Sequence, residues 1–545
     1  MSFVVNIPAS PLPFLRNAQR WSLKAITSHL PSSNFTLTAV IIATVWWFVL
    51  PLFIRSNITD AKGHAIPSGP LLRYAFLRKY PERVLFKWAK QFGPLYTVFM
   101  GNQLFVVISD PTIAKDLLVN NGAIFSGRKS YFIKSKVVLN SRAITGTNYG
   151  DKWRQHRRIA MQLLTPKAIN GYAEVLEYEA NILVRSLLQE SGYGKLPINP
   201  AHYAGRYALN NMLTISFGTR TDTSTDPLVQ RAIAMAMEFM ELSGPWSNAI
   251  DFIKPLQWLP TKIRSRAWKL HDDLIEVYGA MILRVKARMD SGEPVPDCLA
   301  KTLIETQEQE KLDWEDLCML AAVFTLGGVH STSGLIQWFL ALIPSHPEIQ
   351  ARAHEELDRV VGRDRYPTAE DEQNLPYIRA IIKEVQRCHA PFWMGTPHYS
   401  TDDFVYNGQF IPKDTVMVLN LYTMHHDEQR YPDPWKFNPD RYLGDNLSCA
   451  ESAKLPDATE RDHFSFGAGR RICPGVHVAE RELFLAMASL LWNFNMHEIP
   501  GHPISLEEYE GRNGRSPLPF NMRLIPRHDN VISLGEQLKE ITLEF

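Results

Sequence analysis

The sequence predicts a mainly helical α+β fold with small β-sheets, preceded by one N-terminal transmembrane helix. Three observations predict it. From about residue 112 to 391, apolar residues recur mainly at helical spacing, while strand-like runs are confined to short stretches near both ends of the folded region. Residues 35–54 contain no charge and are about long enough to cross a hydrocarbon core. No repeat or low-complexity linker divides the rest of the 545 residues, and 45% hydrophobic with 21% charged residues suffices for a large core.

Residues 1–34 form a short leading segment in which Phe14, Ala18, Trp21 and Ala25 would line one face of a basic helix suited to a membrane surface. Residues 35–54 follow as the anchor, with Trp46, Trp47 and Phe48 in its second half. A cleaved signal peptide is the rival reading, but the span starts late and no small-residue cleavage site follows. Basic residues flank both sides, so charge alone leaves its orientation open. Residues 55–70 are a linker ending in the turn-rich Ile66-Pro67-Ser68-Gly69-Pro70, and residues 71–545 form the soluble domain.

Within that domain, strand-like residues 95–100 and 104–109 flank Gly101-Asn102, a hairpin signal. A second β-rich patch surrounds Asn407-Gly408, with a strand over 415–419. The longest helical pattern spans 313–343, capped by Asp313, stopped at Pro344 and apolar nearly all round, which makes it central. Gly327 and Gly328 in its middle cost helix stability, a cost that suits a backbone approached by a ligand. Phe239 and Met240 read as core.

The formal charge of +1 gives no sign of nucleic-acid binding. The five cysteines are scattered, odd in number and without CxxC spacing, which argues against a disulfide framework and against a zinc site. One of them stands apart. Cys473 lies in Phe466-Gly467-Ala468-Gly469-Arg470-Arg471-Ile472-Cys473-Pro474-Gly475, just before a helical pattern over 479–492. Backbone N–H groups, two arginines and a helix N-terminus all favour a thiolate there. A dinucleotide-binding reading fails because Ile472 stands where its third glycine belongs and no strand precedes the loop.

This decapeptide resembles the signature of the cytochrome P450s, with Phe466, Gly469, Arg471, Cys473 and Gly475 on its fixed positions. The resemblance covers roughly residues 67–530 and implies the P450 fold, haem b, and Cys473 as the axial thiolate. It also implies that Glu384 and Arg387, three apart on one helical face, join Arg441 of Phe437-Asn438-Pro439-Asp440-Arg441-Tyr442 in a buried structural network. Tyr442 stands where phenylalanine is usual. Trp153 and Arg157 reproduce the spacing of the pair that the family sets against a haem propionate. His398, Arg471 and Arg128 are further propionate candidates by resemblance.

At the family's acid–threonine pair this chain departs, carrying His330 and Ser331, with Thr332 next in line. These three are the candidates for proton delivery. Pro391-Phe392-Trp393-Met394-Gly395 is a candidate substrate contact. The implied activity is a membrane-anchored monooxygenase that takes O2 and two NADPH-derived electrons through NADPH–cytochrome P450 reductase, with cytochrome b5 as a possible second donor. Its implied setting is the endoplasmic reticulum membrane, single-pass, with a cytosolic catalytic domain and an apolar small-molecule substrate. The style around Cys473 is similar to filamentous-fungal enzymes of secondary metabolism, whose substrates include polyketides, terpenoids and alkaloids. The alternative, prompted by the altered acid–alcohol pair, is a haem-thiolate isomerase or dehydratase that needs neither O2 nor reductase.

Overall fold

The computed structural model describes residues 58–70, 73–74 and 80–537, except 224, 245–247 and 512, together with Thr38. Apart from Thr38, the expected leading segment and anchor lie outside the described residues. The main helices are α1 (Pro81–Phe92), α2 (Asp151–Met161), α3 (Ala173–Glu190), α4 (Ala201–Phe217), α5 (Pro227–Ser243), α6 (Lys262–Asp290), α7 (Trp314–Leu342), α8 (Pro376–Cys388) and α9 (Val476–Asn493).

Helix α7 is the axis of the molecule. The Asp313 side chain accepts from the Asp316 N–H at 2.7 Å, satisfying a donor that the first turn leaves free. Pro344, which has no N–H to give, sits in the 3-10 turn Ile343–Ser345 that ends it. The segment Trp314–Ser345 is apolar and long enough to cross a membrane, yet 72% of its most apolar window is buried inside the protein. It is the core helix, packed against α4, α6 and α9. Gly328 has a packing reason rather than the expected ligand reason: a Cβ there would lie 2.3 Å from Met212 Sδ on α4. Gly327 meets nothing and is exposed, although its helix is otherwise enclosed.

The strands are short, as the sequence led us to expect. β1 (Arg73–Tyr74), β2 (Leu95–Met100), β3 (Gln103–Ile108), β4 (His398–Tyr399) and β7 (Val416–Leu419) form one sheet in the order β1-β2-β3-β7-β4. β2 and β3 pair antiparallel around Gly101, whose φ of 57° supplies the left-handed first position of a two-residue hairpin. β5 (Phe404–Tyr406) and β6 (Gln409–Ile411) turn through Asn407 and Gly408, both at positive φ. Two further antiparallel pairs close the C-terminal part: β8 (Phe494–His497) with β11 (Arg523–Pro526), and β9 (Tyr509–Glu510) with β10 (Ser516–Pro517).

Two buried charge networks tie distant segments together. Glu82 on α1 is fully buried; it accepts from the Tyr509 hydroxyl and, at 3.0 Å, from Arg515 Nη2, so α1 holds the β9–β10 hairpin. Glu384 and Arg387 on α8 are also fully buried and form a bidentate pair, both contacts at 2.7 Å. Arg441 Nε adds a third contact to Glu384 at 3.3 Å, and the Asn438 N–H a fourth at 2.9 Å. The structure thus brings Glu384, Arg387 and Arg441 together. Tyr442 uses its extra hydroxyl to donate to the Asp462 carbonyl at 3.0 Å.

Removing one partner of a fully buried ion pair leaves the other charge uncompensated, at a cost of about 3–5 kcal/mol. Arg387→Leu is therefore expected to lower the urea midpoint sharply and to deplete soluble protein. A midpoint close to that of the wild type would show that Glu384 is not held by this pair.

Candidate functional site

The loop before α9 is shaped by two glycines that no other residue could replace without strain. Gly467 has φ 74° and Gly469 φ 65°, and a Cβ on Gly469 would lie 2.1 Å from the Leu118 carbonyl. The Cys473 N–H donates to the Phe466 carbonyl at 2.9 Å, which fixes Phe466 and Cys473 relative to each other. Helix α9 begins at Val476, three residues earlier than its periodicity suggested, with Gly475 as a cap that offers no side chain. Cys473 thus stands against an uncapped helix N-terminus.

The expected low thiol pKa is corrected by burial. Desolvation pushes the Cys473 thiol up, and the Gly475 N–H and the Arg157 charge only partly pull it back. The sequence shows the cations and the helix but not how dry the site is. Cys473 is nevertheless only half-buried. A group that is both desolvated and accessible faces an enclosed space rather than bulk water.

The charge of Arg157 acts on that cysteine, Arg471 stands two residues before it, and Arg128 and His398 lie within electrostatic reach of Arg471. Arg471 donates to the carbonyls of Ser126 at 2.9 Å, Ile144 at 3.3 Å and Thr147 at 3.0 Å. Arg157 Nη2 reaches the Ile472 carbonyl at 2.9 Å, and its guanidinium lies 5.4 Å from the Trp153 ring centroid. Arg128 Nη1 holds the Pro397 carbonyl at 2.8 Å, and His398 Nδ1 the Phe125 carbonyl at 2.8 Å. Among the described residues, none of these arginines pairs with a carboxylate.

The electrostatic consequence is large. Burial and the neighbouring Arg157 lower Arg471 to about 9, while burial and Arg471 press Arg128 well below its usual value. Burial and Arg128 keep His398 neutral. Arg128 Nε and Trp153 Nε1 are buried without a hydrogen-bond partner. Such a donor set fits an anion, and its spread over four chain segments fits a large flat ligand with more than one acidic arm. Haem b, with two propionates, is such a ligand.

Helix α7 brings its candidates to different faces. Ser331 is half-buried and donates to the Gly327 carbonyl at 2.8 Å, beside the exposed glycine. His330 packs against the Gly514 backbone of the β9–β10 hairpin, where a Cβ would lie 2.3 Å from its ring, and 6.4 Å from the Phe392 ring. Burial lowers His330 to about 4, so it is neutral near pH 7, and its Nδ1 has no partner. Thr332 is turned away and donates to Glu482 Oε2 on α9 at 2.9 Å, which removes it as a reserve donor. Of the 391–395 run, Trp393 and Met394 are buried in apolar clusters, and Phe392 is the one that meets His330.

Comparison with known proteins settles the family. A cytochrome P450 family model matches residues 66–521. The chain belongs to the cytochrome P450 family. Cytochrome P450 monooxygenase polD of Polytolypa hystricis is 31% identical, covering 90% of this chain and 94% of the relative. The relatives virE of Hypocrea virens (32%; 82% and 81%) and patH of Penicillium expansum (31%; 85% and 90%) carry the same description. The protein is a P450 monooxygenase, and the family implies haem with a cysteine thiolate ligand.

Two cysteines of this P450 lie near candidate ligands. Cys449 clusters with Asp462 and His463, their ligand atoms all within 4.8 Å of one another. That cluster already holds its cation, because Lys383 Nζ lies 3.4 Å from Asp462 Oδ2, and His463 Nε2 donates to Gln386 Oε1 at 3.0 Å. Burial and Asp462 push the Cys449 thiol well up. The open cleft beside it is bordered by none of Arg128, Arg157, His398 or Arg471. The donor set that suits haem surrounds Cys473.

Glu482 was not read from the sequence, because a glutamate two turns into a helix looks like solvated surface. It is buried, and desolvation raises it to about 8. The native state therefore keeps a proton that the unfolded chain has lost, and stability falls as pH rises from about 4.5 towards 8, by up to about 1.4 kcal/mol per pH unit. Glu482→Gln is expected to flatten that slope in urea titrations from about pH 5 to 8. An unchanged slope would place the proton elsewhere.

Proposed function

We propose that Cys473 is the axial ligand of haem b in a membrane-anchored monooxygenase that oxidises an apolar small molecule of fungal secondary metabolism. The observation that carries this reading is the half-buried Cys473 beside a cluster of cations that no carboxylate among the described residues pairs with. Arg128, Arg157, His398 and Arg471, with Trp153 Nε1, would hold the propionates; Phe466 and Gly475 set the thiolate loop. Bound haem supplies an iron centre for dioxygen activation, fed by two NADPH-derived electrons through a reductase, with cytochrome b5 as a second possible donor.

The chain's own residues do the rest. The Arg157 charge and the Gly475 N–H stabilise the Cys473 thiolate against its burial. The guanidiniums lose their mutual repulsion once carboxylates lie among them. We assign proton handling to the Ser331 hydroxyl, beside the open backbone at Gly327, with neutral His330 as its neighbour. Neutral imidazole passes a proton between its two nitrogens rather than storing one. Phe392, packed at the edge of the main apolar core beside His330, would favour an apolar substrate.

Residues 35–54 would anchor the enzyme in the endoplasmic reticulum membrane with residues 71–545 in the cytosol. The relatives named above are all fungal, and their being monooxygenases favours oxygen insertion over isomerisation or dehydration.

Cys473→Ala is expected to abolish the characteristic absorbance band of the reduced carbon-monoxide complex, whereas Cys449→Ala is expected to leave it. Retention of the band in the Cys473 variant would overturn the ligand assignment.

A further inference from the structure

Residues 132–138 form a π-helix, Phe132–Val138, a rare geometry that recurs at functional sites. It is held on both sides. The Ile133 N–H donates to Asp251 at 2.9 Å, and Asn140, just beyond the π-helix, donates to Glu315 at 2.8 Å. Arg142 pairs with Asp313, and with Glu315 and Asp316 at 3.1 Å each, at the start of α7. The backbone that carries Lys134 is therefore fixed.

Lys134 itself is not. Its Nζ lies 5.7 Å from the Phe239 ring centroid on α5, and among the described residues it makes no hydrogen bond and no ion pair. Burial, with the positive charge of Arg128 added, lowers its ammonium to about 8, which leaves it protonated near neutral pH. The side chain is half-buried, so, like Cys473, it is desolvated yet accessible. Asp251, the half-buried acid of this region, is engaged by the Ile133 N–H. Lys129, its basic neighbour, is accounted for by Gln103 Oε1. A half-buried ammonium without a hydrogen-bonding partner costs stability unless an anion arrives to meet it.

We propose that Lys134 docks a carboxylate on the substrate, so that the enzyme acts on an apolar acid rather than on a wholly neutral molecule. The proposal rests on the haem reading above and adds the substrate's charge. Phe239 lies beneath the ammonium and would bound the apolar part next to the acid. Arg128, Arg157, His398 and Arg471 already provide for the propionates, which leaves Lys134, nearer α5, for the incoming ligand.

The test uses a graded series of ω-(imidazol-1-yl)alkanoic acids and their methyl esters, whose imidazole coordinates haem iron whatever the native substrate is. Spectral titration of the holoenzyme is expected to show the acid of the best-fitting length binding about tenfold more tightly than its ester. Lys134→Met should abolish that preference and Lys134→Arg should keep it. Because Nζ has no protein partner, the methionine strands nothing. Equal binding of acid and ester by the wild type, or a preference that survives Lys134→Met, would overturn the proposal. So would a loss of haem content in Lys134→Met, which would assign the lysine to the haem's own carboxylates. The carbon-monoxide band, read on the same samples, reports on the haem assignment separately.

Discussion

The position of the thiolate loop depends on one buried ion pair. Arg387 meets Glu384 through two nitrogens and spends its remaining one on the carbonyls of His425 and Pro434. His425 Nδ1 in turn donates to the Arg387 carbonyl at 3.1 Å, and its Nε2 accepts from the Phe464 N–H at 2.9 Å. The neighbouring Ser465 hydroxyl donates to the Gln386 carbonyl at 2.9 Å. One residue on, the Phe466 carbonyl receives the Cys473 N–H. A series of hydrogen bonds, joined by the covalent backbone from Phe464 to Phe466, thus runs from α8 to the cysteine. Burial keeps His425 neutral, which lets one ring donate at one nitrogen and accept at the other.

The second constraint is charge. Cations around Cys473 repel one another in a dry site, and no carboxylate among the described residues pairs with them. The fold accepts that cost where a ligand with acidic arms fits, and it accepts a smaller version of it at Lys134. Cys473, Arg157 and Lys134 share one physical signature: strong desolvation together with incomplete coverage. Gly327 and Ser331 share the incomplete coverage on α7. A protein that needed only a packed interior would have filled such positions with apolar side chains.

Much of this was legible from residue order. The hairpin at Gly101-Asn102, the cap at Asp313 and the stop at Pro344 are local, so short-range chemistry foretold them. The convergence of Glu384, Arg387 and Arg441, and of Trp153 and Arg157 near Cys473, was legible through the resemblance. What could not be read depends on which way a helix turns. Gly328 meets Met212, Thr332 faces Glu482, and His330 faces a hairpin almost two hundred residues away. The same limit hid Lys134, one of several basic residues in a stretch that reads as surface, and it hid the burial that raises the Cys473 thiol.

The contact between Glu82 and the β9–β10 hairpin joins the first described helix to a late part of the chain. Arg515 and Tyr509 hold Glu82, and two residues before Tyr509's partner strand the Gly514 backbone lies on the His330 ring. Shortening the N-terminus for soluble expression already removes β1 once it passes Tyr74, and beyond Pro81 it cuts this tether as well. A chain that begins before Pro81 keeps the tether on the hairpin above His330. One that begins later frees Arg515 as a buried cation and loosens the wall that gives the neutral histidine its fixed orientation.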